Sequence, residues 1–245
     1  DTGGDPVVVA ILDSGIALEV PPDARIHPDS RSLVTGEQIE DDGTGHGTVM
    51  ARIVHDAAPG AELLIVKVLD RAGGGSPAVL AKGIRHATEA GAQIINVSSE
   101  FAGDDPDVRA ALDLAQDHGV LVVVAAGNEG LDLDRFTSYP ASYGHENMIV
   151  VAAVGPEGHL TGGSNWGEET VDLGAPGDQG SSVATSEVSG ATARLLAREP
   201  MLTASEVKRA LLDSVDRRTA LHGRTATEGV LDANAAELAA WTRGG

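Results

Sequence analysis

Five continuous runs of apolar residues constrain the fold of this chain more than any other feature of its sequence. They are VVVAIL (7–12), AELLIVKVL (61–69), AQIINVSS (92–99), GVLVVVAAG (119–127) and MIVVAAV (148–154). None shows the apolar–polar alternation of a half-exposed strand, and continuous β-branched runs are typical of parallel strands covered on both faces. The runs therefore predict an α/β fold.

The segments between these runs have the features of helices. The segment 76–90 begins with a serine that can cap a helix, and the segment 105–118 has a proline at an early helical position. This strand–helix rhythm predicts a three-layer, doubly wound, mostly parallel sheet with helices on both faces. The sequence shows no internal repeat or interdomain linker, so we predict a single domain over residues 1–245.

Composition excludes several classes of protein. The chain has no cysteine, which excludes disulfides, zinc–thiolate sites and a cysteine nucleophile. A formal net charge of −20 argues against nucleic acid or an anionic membrane as a partner. No apolar run reaches the length of about 18 residues that predicts a membrane span, and no histidine spacing is typical of a metal site. We therefore predict no metal and no cofactor, and the compartment stays open.

Polar side chains follow two of the predicted strands. Asp13 comes directly after the first run, in AILDSG, and Asn128 follows the fourth run, in VVVAAGNEG. A polar residue at the end of a buried strand either caps a turn or belongs to a site at the carboxyl edge of the sheet. In a site, a carboxylate can orient a base and an amide can donate to an oxyanion.

A histidine begins another predicted helix. His46 lies in the glycine-rich segment DDGTGHGT, and the pairs Val49/Ile53 and Met50/Val54 indicate a buried helix after it. The dipole at this helix N-terminus is expected to depress the pKa of His46, which would keep the imidazole neutral and able to accept a proton. The nearby pair Asp41 and Asp42 is interpreted as a solvated turn, with cation binding as the alternative.

Two adjacent serines, Ser181 and Ser182, open a further helix. Its apolar face consists of Ala184, Val188, Ala191 and Leu195. Because the inward residues are small, we expect this helix to pack closely against the sheet. Each serine alone is either a helix cap or a nucleophile.

The four polar features together favour a site for acyl transfer. That reaction needs a nucleophile, a base that accepts its proton, a carboxylate that orients the base, and donors for the oxyanion. The chain supplies Asp13, His46, Asn128 and Ser182 in that order, each just past a strand or at a helix start.

In these motifs the chain resembles the subtilisin-like serine proteases, the subtilase family, over nearly its full length. LDSG, HGTVMA, AAGN and GSSVATSEVSG resemble the family's motifs around its Asp, His, Asn and Ser. The resemblance implies that Ser182 is the nucleophile, His46 the base, Asp13 the residue that orients the base and Asn128 an oxyanion donor. It further implies a serine endopeptidase with a peptide or protein substrate.

The chain departs from the family pattern in its loops. Only Asp178 and Gln179 separate APG from GSS, where family members carry a long hairpin. The insertion that often carries a calcium loop after the histidine motif is also missing, so no calcium site is predicted there. Ser186 stands at the position of a family proline, which predicts a different local bend. The shortened rim predicts either an open cleft or one completed by a prodomain or partner, and it favours a specialised precursor-processing protease.

The resemblance also implies a set of substrate-binding residues: Ser98, Ser99, Glu100, Gly127, Glu129 and Ser138. The segment SSEF (98–101) takes the place of a glycine-containing segment whose backbone pairs with the substrate as an extra strand. Glu100 and Glu129 would favour Lys or Arg next to the cut. The alternative is that they are two solvated surface carboxylates.

Two other functions stay open at the level of the sequence. The altered SSEF segment and the missing hairpin would suit a catalytically silent domain that binds peptides along its sheet edge. An acyl-enzyme that an amine intercepts would make the chain a transpeptidase or macrocyclase, because the same catalytic residues serve both reactions.

Overall fold

A central, mostly parallel sheet is the main feature of the computed structural model, which describes residues 5–17 and 20–243. Within these residues its strands are β1 (Val8–Asp13), β2 (Arg25–Ile26), β3 (Arg31–Ser32), β4 (Glu62–Lys67), β5 (Ile94–Val97), β6 (Leu121–Ala125), β7 (Met148–Val154), β8 (Leu173–Pro176), β9 (Asp216–Arg217) and β10 (Gly229–Val230). The helices are α1 (His46–Ala57), α2 (Pro77–Glu89), α3 (Pro106–Asp117), α4 (Ser181–Arg198), α5 (Ala204–Asp213) and α6 (Ala233–Arg243). Short 3₁₀ turns occur at Ala141–Tyr143 and Thr219–Leu221.

The strand order confirms the doubly wound fold. The order is β2-β4-β1-β5-β6-β7-β8-β10-β9, with β3 also paired to β4, and only the pair β9–β10 is antiparallel. From β1 the chain goes to β4 on one side and later to β5 on the other, so a topological switch point lies at the carboxyl end of β1. Ligand sites in open α/β sheets form at such points.

The continuous apolar runs have a direct structural explanation. Alternate residues of β1 face opposite sides of the sheet: Val9 and Ile11 belong to one hydrophobic core, and Val8, Ala10 and Leu12 belong to the other. Helices α1 and α4 cover the first core, while α2 and α3 cover the second. Both faces of the strand are therefore buried, which explains why apolar and polar residues do not alternate along it.

Helix α1 corrects one expectation about buried residues. Met50 and Val54 are buried as predicted, but Val49 is 45% exposed and Ile53 is only partly buried. Successive residues of a helix point about 100° apart, so the two pairs cannot both face the core. Among the described residues, no helix is long and apolar enough to cross a membrane.

The small residues of α4 allow the close packing that the sequence predicts. A Cβ atom placed on Gly190 would lie 2.5 Å from the Cβ of Ala57 and 3.4 Å from the carbonyl oxygen of Val54, both in α1. Helix α4 continues through Ser186, whose hydroxyl donates to the carbonyl of Ser182 at 3.1 Å. Glycine at position 190 therefore sets how near α4 can approach α1.

We expect Gly190→Leu to lower the free energy of unfolding by about 1–3 kcal/mol, because the added side chain overpacks the contact between α1 and α4. Urea unfolding followed by circular dichroism measures this change. Ala197→Leu, on an exposed position of the same helix, is the matched control and is expected to change stability little. Equal unfolding midpoints for the two variants would contradict the packing argument.

Candidate active site

The predicted site residues meet at the carboxyl edge of the sheet. Asp13 is the last residue of β1, Ser98 directly follows β5, and Asn128 lies just beyond β6. His46 is the first residue of α1 and Ser182 the second of α4. Parallel strands end at one edge and these two helices begin there, so residues far apart in sequence come together.

A hydrogen bond joins Asp13 and His46. The Nδ1 of His46 donates to Oδ1 of Asp13 at 2.8 Å, and Asp13 is only 1% exposed. The same oxygen also accepts from the backbone N–H of Ser14 at 2.7 Å. Because an ionised carboxylate only accepts, this bond assigns the imidazole proton to Nδ1. Nε2 then has a free lone pair that can accept a proton.

The pKa of His46 differs from the expectation drawn from the sequence. The hydrogen bond to Asp13 raises this pKa above its usual value, and the charges of Asp13 and Asp42 add to the effect, while burial opposes it. The expectation of a depressed pKa was therefore wrong. A carboxylate in direct contact stabilises the imidazolium more than a helix N-terminus destabilises it.

Asp42 is not the solvated turn residue that the sequence suggested. Its Oδ1 accepts from the hydroxyl of Ser14 at 2.7 Å, and its Oδ2 accepts from the N–H of Thr48 at 2.9 Å and from its hydroxyl at 2.5 Å. Burial opposes ionisation, but these hydrogen bonds hold the pKa of Asp42 below its usual value. Asp42 thus ties the first turn of α1 to the residue after Asp13. A carboxylate just before a helix start is a known capping signal that could have indicated this.

The buried side chain of Lys67 stabilises the same region around Ser14 and the loop before His46. The Nζ of Lys67 donates to the carbonyls of Ser14 at 2.5 Å, Leu69 at 2.8 Å and Asp41 at 3.1 Å, and pairs with Glu37 at 3.0 Å. Lys67 is fully buried at the end of β4, beside β1. It therefore joins the end of β1 to the loop that precedes His46. The one cue in the sequence was a charged residue inside the apolar run 61–69.

Ser181 holds the side chain of Asn128 in place. Oδ1 of Asn128 accepts from the N–H of Ser181 at 2.9 Å and from its hydroxyl at 3.2 Å, and the Ser181 hydroxyl accepts from Gly127 N–H at 3.2 Å. With its carbonyl engaged, the amide of Asn128 keeps Nδ2–H₂ as a donor. Gly180 has a φ of 120°, and a Cβ there would lie 2.8 Å from Oδ1 of Asn128, so only glycine fits at this approach to α4.

The two serines have different environments. Ser181 is fully buried and hydrogen-bonded to Asn128 and Gly127, whereas Ser182 is only partly buried. The hydroxyl of Ser182 donates to the carbonyl of Ser98 at 3.4 Å. Over the described ranges the structure contains no hydrogen bond between Ser182 and His46. Ser182 is therefore the accessible hydroxyl of the pair.

Three of the six predicted substrate-binding residues lie in the wall of one cavity. Ser98, Ser99 and Glu100 line a cavity of 340 Å³ together with His46. Oε2 of Glu100 accepts from the hydroxyl of Ser138 at 2.9 Å, which brings a fourth predicted residue next to this wall.

The carboxylates of Glu100 and Glu129 face each other over Gly127. A Cβ placed on Gly127 would lie 2.3 Å from Oε2 of Glu100 and 2.9 Å from Oε2 of Glu129. Burial and the neighbouring Glu129 raise the pKa of Glu100 to about 7. Hydrogen bonds from Glu100 and Asn165 lower the pKa of Glu129 despite partial burial. The pair is therefore not two independently solvated carboxylates, and Asn165, which donates to Glu129 at 2.8 Å, was missed from the sequence.

Metal binding finds no support in this part of the structure. Among the residues that the structure describes, no three His, Asp or Glu side chains are grouped so that they could hold a metal ion.

Comparisons with known proteins agree with the geometry. The model of the subtilase family matches residues 4–233. Subtilisin DY of Bacillus licheniformis is 33% identical over 237 residues, covering 85% of this chain and 83% of the relative. The protease domain of PatA has a TM-score of 0.79 and 26% identity, covering 98% of this chain and 96% of its own. The prenylagaramide maturation protease PagA has a TM-score of 0.80 and 28% identity, covering 96% and 94%.

We expect Asp42→Asn to lower the pKa of His46, because the negative charge of Asp42 stabilises the imidazolium. An NMR titration of the His46 ring measures this pKa, and the midpoint should move to lower pH. Asp41→Asn removes a neighbouring charge that does not influence His46 and is the matched control. A midpoint that stays in place in Asp42→Asn would contradict the proposed influence.

Proposed function

This chain belongs to the subtilase family and is a serine-type endopeptidase that acts on peptide or protein substrates, and on that premise we propose that it forms an acyl-enzyme on Ser182. The observation that carries the proposal is the 2.8 Å bond between Asp13 and His46, beside the accessible hydroxyl of Ser182. Asp13, His46 and Ser182 then form the catalytic triad.

In the proposed mechanism His46 transfers a proton in each of the two half-reactions. Nε2 of His46 accepts the proton of the Ser182 hydroxyl as Oγ attacks the carbonyl carbon of the scissile bond. His46 then gives this proton to the leaving amine, and the C–N bond breaks to leave the acyl-enzyme. Water then attacks the ester carbon as His46 accepts one of its protons, and His46 gives this proton to Oγ of Ser182 as the C–O bond breaks, which releases the new carboxyl group. Asp13 fixes the tautomer and stabilises the imidazolium without taking the proton itself.

The oxyanion of each tetrahedral intermediate is stabilised by two donors in this proposal. These are Nδ2–H₂ of Asn128, whose carbonyl is held by Ser181, and the backbone N–H of Ser182 at the start of α4. One such donor contributes about 10²–10³-fold to kcat. That magnitude is borrowed from the corresponding asparagine of a subtilisin, which is a member of this family.

The Ser182 hydroxyl must turn from Ser98 toward His46 in the reaction. Catalytic hydrogen bonds are often long or absent in a free enzyme and tighten when substrate binds. A substrate backbone that pairs with the segment 98–101 would compete for the carbonyl of Ser98, which now accepts from Ser182 at 3.4 Å. Substrate binding would thereby release the hydroxyl for its base.

We also propose that the enzyme processes a particular precursor rather than proteins in general. The connection of Asp178 and Gln179 leaves the cleft with a short rim, and PagA, which is similar over nearly the whole chain, is named as a maturation protease. Hydrolysis and transfer to an amine share the acyl-enzyme. The mass of the product from a defined peptide distinguishes the two, because only hydrolysis adds water.

A fluorophosphonate probe is expected to label Ser182 alone, because only this hydroxyl lies beside a base and oxyanion donors. Peptide mass spectrometry locates the adduct. Labelling should be lost in Ser182→Ala and in His46→Ala. It should be retained in Ser181→Ala, since the hydroxyl of Ser181 positions Asn128 and does not react with the probe. Labelling of Ser181, or no adduct on folded protein, would refute the proposed triad.

We propose, finally, that Glu100 and Glu129 select Lys or Arg at the substrate residue before the cut. The pair adjoins Asn128, the proposed oxyanion donor, so the side chain of the acyl residue would reach it. Within the part of the chain that the structure describes, no cation contributes to the pKa of either carboxylate. A cationic substrate side chain would supply the missing counter-charge.

The ratio of kcat/KM for a Lys substrate to that for its norleucine analogue should rise as pH rises through about 7, where Glu100 loses its proton. Both substrates use His46, so the ratio cancels the titration of the base. Glu100→Gln is expected to flatten this dependence, and Glu89→Gln, on an exposed position of α2, is the matched control. A preference for apolar residues that Glu100→Gln leaves unchanged would rule out the selection.

A further inference from the structure

The side chain of Asn165 is fully buried and forms four hydrogen bonds next to the proposed oxyanion donor. It lies between β7 and β8 and is 0% exposed. Its Nδ2 donates to the carbonyl of Ala126 at 2.9 Å and to Oε2 of Glu129 at 2.8 Å. Its Oδ1 accepts from the N–H groups of Glu129 at 3.1 Å and of Leu131 at 2.8 Å. Because an amide has two N–H donors and two acceptor lone pairs, all of them are used.

The partners of Asn165 determine which type of residue fits at this position. The carbonyl of Ala126 and the carboxylate of Glu129 only accept, while the two backbone N–H groups only donate, so the amide has one possible orientation. An aspartate would bring a carboxylate oxygen toward two other acceptors. An apolar side chain would leave buried polar groups without a partner. Asparagine supplies both kinds of hydrogen-bonding group at once.

The segment 126–131 depends on these bonds for its conformation. In the described structure it belongs to no helix or strand, so it has no regular ladder of hydrogen bonds of its own. The N–H of Asn165 donates to the carbonyl of Gly127 at 2.9 Å, and the N–H of Trp166 donates to the carbonyl of Leu131 at 2.9 Å. Gly127 has a φ of 102°, and a Cβ there would lie 2.4 Å from Nδ2 of Asn165, so this contact requires glycine.

Two residues of the proposed mechanism, Asn128 and Glu129, lie on this segment. Oε2 of Glu129 accepts from Nδ2 of Asn165 and also from the backbone N–H of Asn128 at 3.0 Å. Burial opposes the ionisation of Glu129, but hydrogen bonds from Glu100, Asn165 and the backbone hold its pKa below its usual value. Asn165 therefore reaches the oxyanion donor through the backbone of the segment, and it contacts the substrate-selecting carboxylate directly.

From this geometry we propose that Asn165 is a positioning residue with two effects. It fixes the segment 126–131 so that Nδ2–H₂ of Asn128 points at the oxyanion, and it holds the carboxylate of Glu129 where a Lys or Arg of the substrate binds. Because Asn165 is fully buried, it touches no substrate itself. The inference rests on the proposed function, since it takes Asn128 as the oxyanion donor and Glu129 as part of substrate selection.

Asn165→Ala tests the first effect through kcat for the norleucine substrate, whose side chain carries no charge. We expect kcat to fall about 10–10²-fold with little change in KM, because a misplaced oxyanion donor weakens binding of the transition state and not of the substrate. Asn165→Ser, whose hydroxyl can replace one of the four bonds, should give an intermediate kcat. It takes the place of the alanine variant if circular dichroism shows that Asn165→Ala is unfolded.

A double-mutant cycle tests the second effect. The readout is the ratio of kcat/KM for the Lys substrate to that for its norleucine analogue, measured above the pKa of Glu100, which is about 7. Asn165→Ala should lower this ratio about tenfold, the size of one hydrogen bond to a charged group. In the Glu129→Gln background the same substitution should leave the ratio unchanged, because Asn165 acts through the charge of Glu129.

Asn147→Ala is the matched control for the loss of a buried asparagine. Asn147 is 5% exposed, and its Nδ2 donates to the carbonyl of Val120 at 2.7 Å where β6 and β7 begin, at the opposite edge of the sheet. This variant should lose stability in urea unfolding but keep the wild-type kcat and ratio. A smaller fraction of active protein cannot change a ratio between two substrates, so the ratio separates positioning from stability.

The outcomes separate this inference from the proposed function. If the fluorophosphonate probe labels Ser182 but the folded Asn165 variants keep the wild-type kcat or the wild-type ratio, the inference is wrong and the acyl-enzyme stands. An equal fall in Asn147→Ala would also overturn it, since any buried asparagine would then have the same effect. A wild-type enzyme that cleaves both substrates equally well would overturn it too, because Glu129 then selects no charge. If Ser182 is unlabelled and neither substrate is cleaved, the proposed function fails and this inference fails with it.

Discussion

The contact between α1 and α4 is the constraint on which the active site depends. Both helices lie on the same face of the sheet, and each carries a residue of the proposed triad at its start: His46 is the first residue of α1 and Ser182 the second of α4. Gly190 lies so near to Ala57 and Val54 that a side chain there would collide with α1. The separation of His46 and Ser182 is therefore set by packing far from the chemistry, where small residues permit a close approach.

Helix α4 can pack closely although it buries several serines and threonines, because nearly every one of their hydroxyls forms a hydrogen bond. Thr185 and Thr192 donate to carbonyls one turn earlier, at 2.7 Å each. Ser189 donates to Asn96 at 2.8 Å, and Asn96 donates to Ser98 at 3.1 Å. This chain of bonds runs from the middle of α4 to the cleft wall beside Ser182. A buried network in which every group is hydrogen-bonded fixes one arrangement of helix and strand. The polar residues of α4 therefore select a single way of packing against the sheet, whereas apolar residues would contribute only buried surface.

The fold and the residues of the proposed triad could be singled out from the sequence because their signals are local, whereas the partners of the supporting residues could not. A buried strand shows as a continuous apolar run, and the motifs around Asp13 and Ser182 are short. Asp42, by contrast, acts through Ser14, which lies 28 residues away, and Asn165 reaches Glu129 across 36 residues. The pKa of His46 was misjudged for the same reason. The helix start is visible in the sequence, but the 2.8 Å contact with Asp13 that outweighs it exists only after folding.

The acidic character of the chain links the proposed recognition of substrate to the proposed catalysis. A net charge of −20 attracts basic peptides, and Glu100 and Glu129 place two carboxyl groups beside Gly127, next to the proposed oxyanion donor Asn128. The charges of Asp13 and Asp42 stabilise the imidazolium of His46, which must be neutral to act as a base. A basic substrate side chain that binds at Glu100 and Glu129 brings a positive charge toward this site, and a nearby positive charge favours the neutral form of the imidazole. On this argument the charge that selects the substrate also favours the form of His46 that acts as the base.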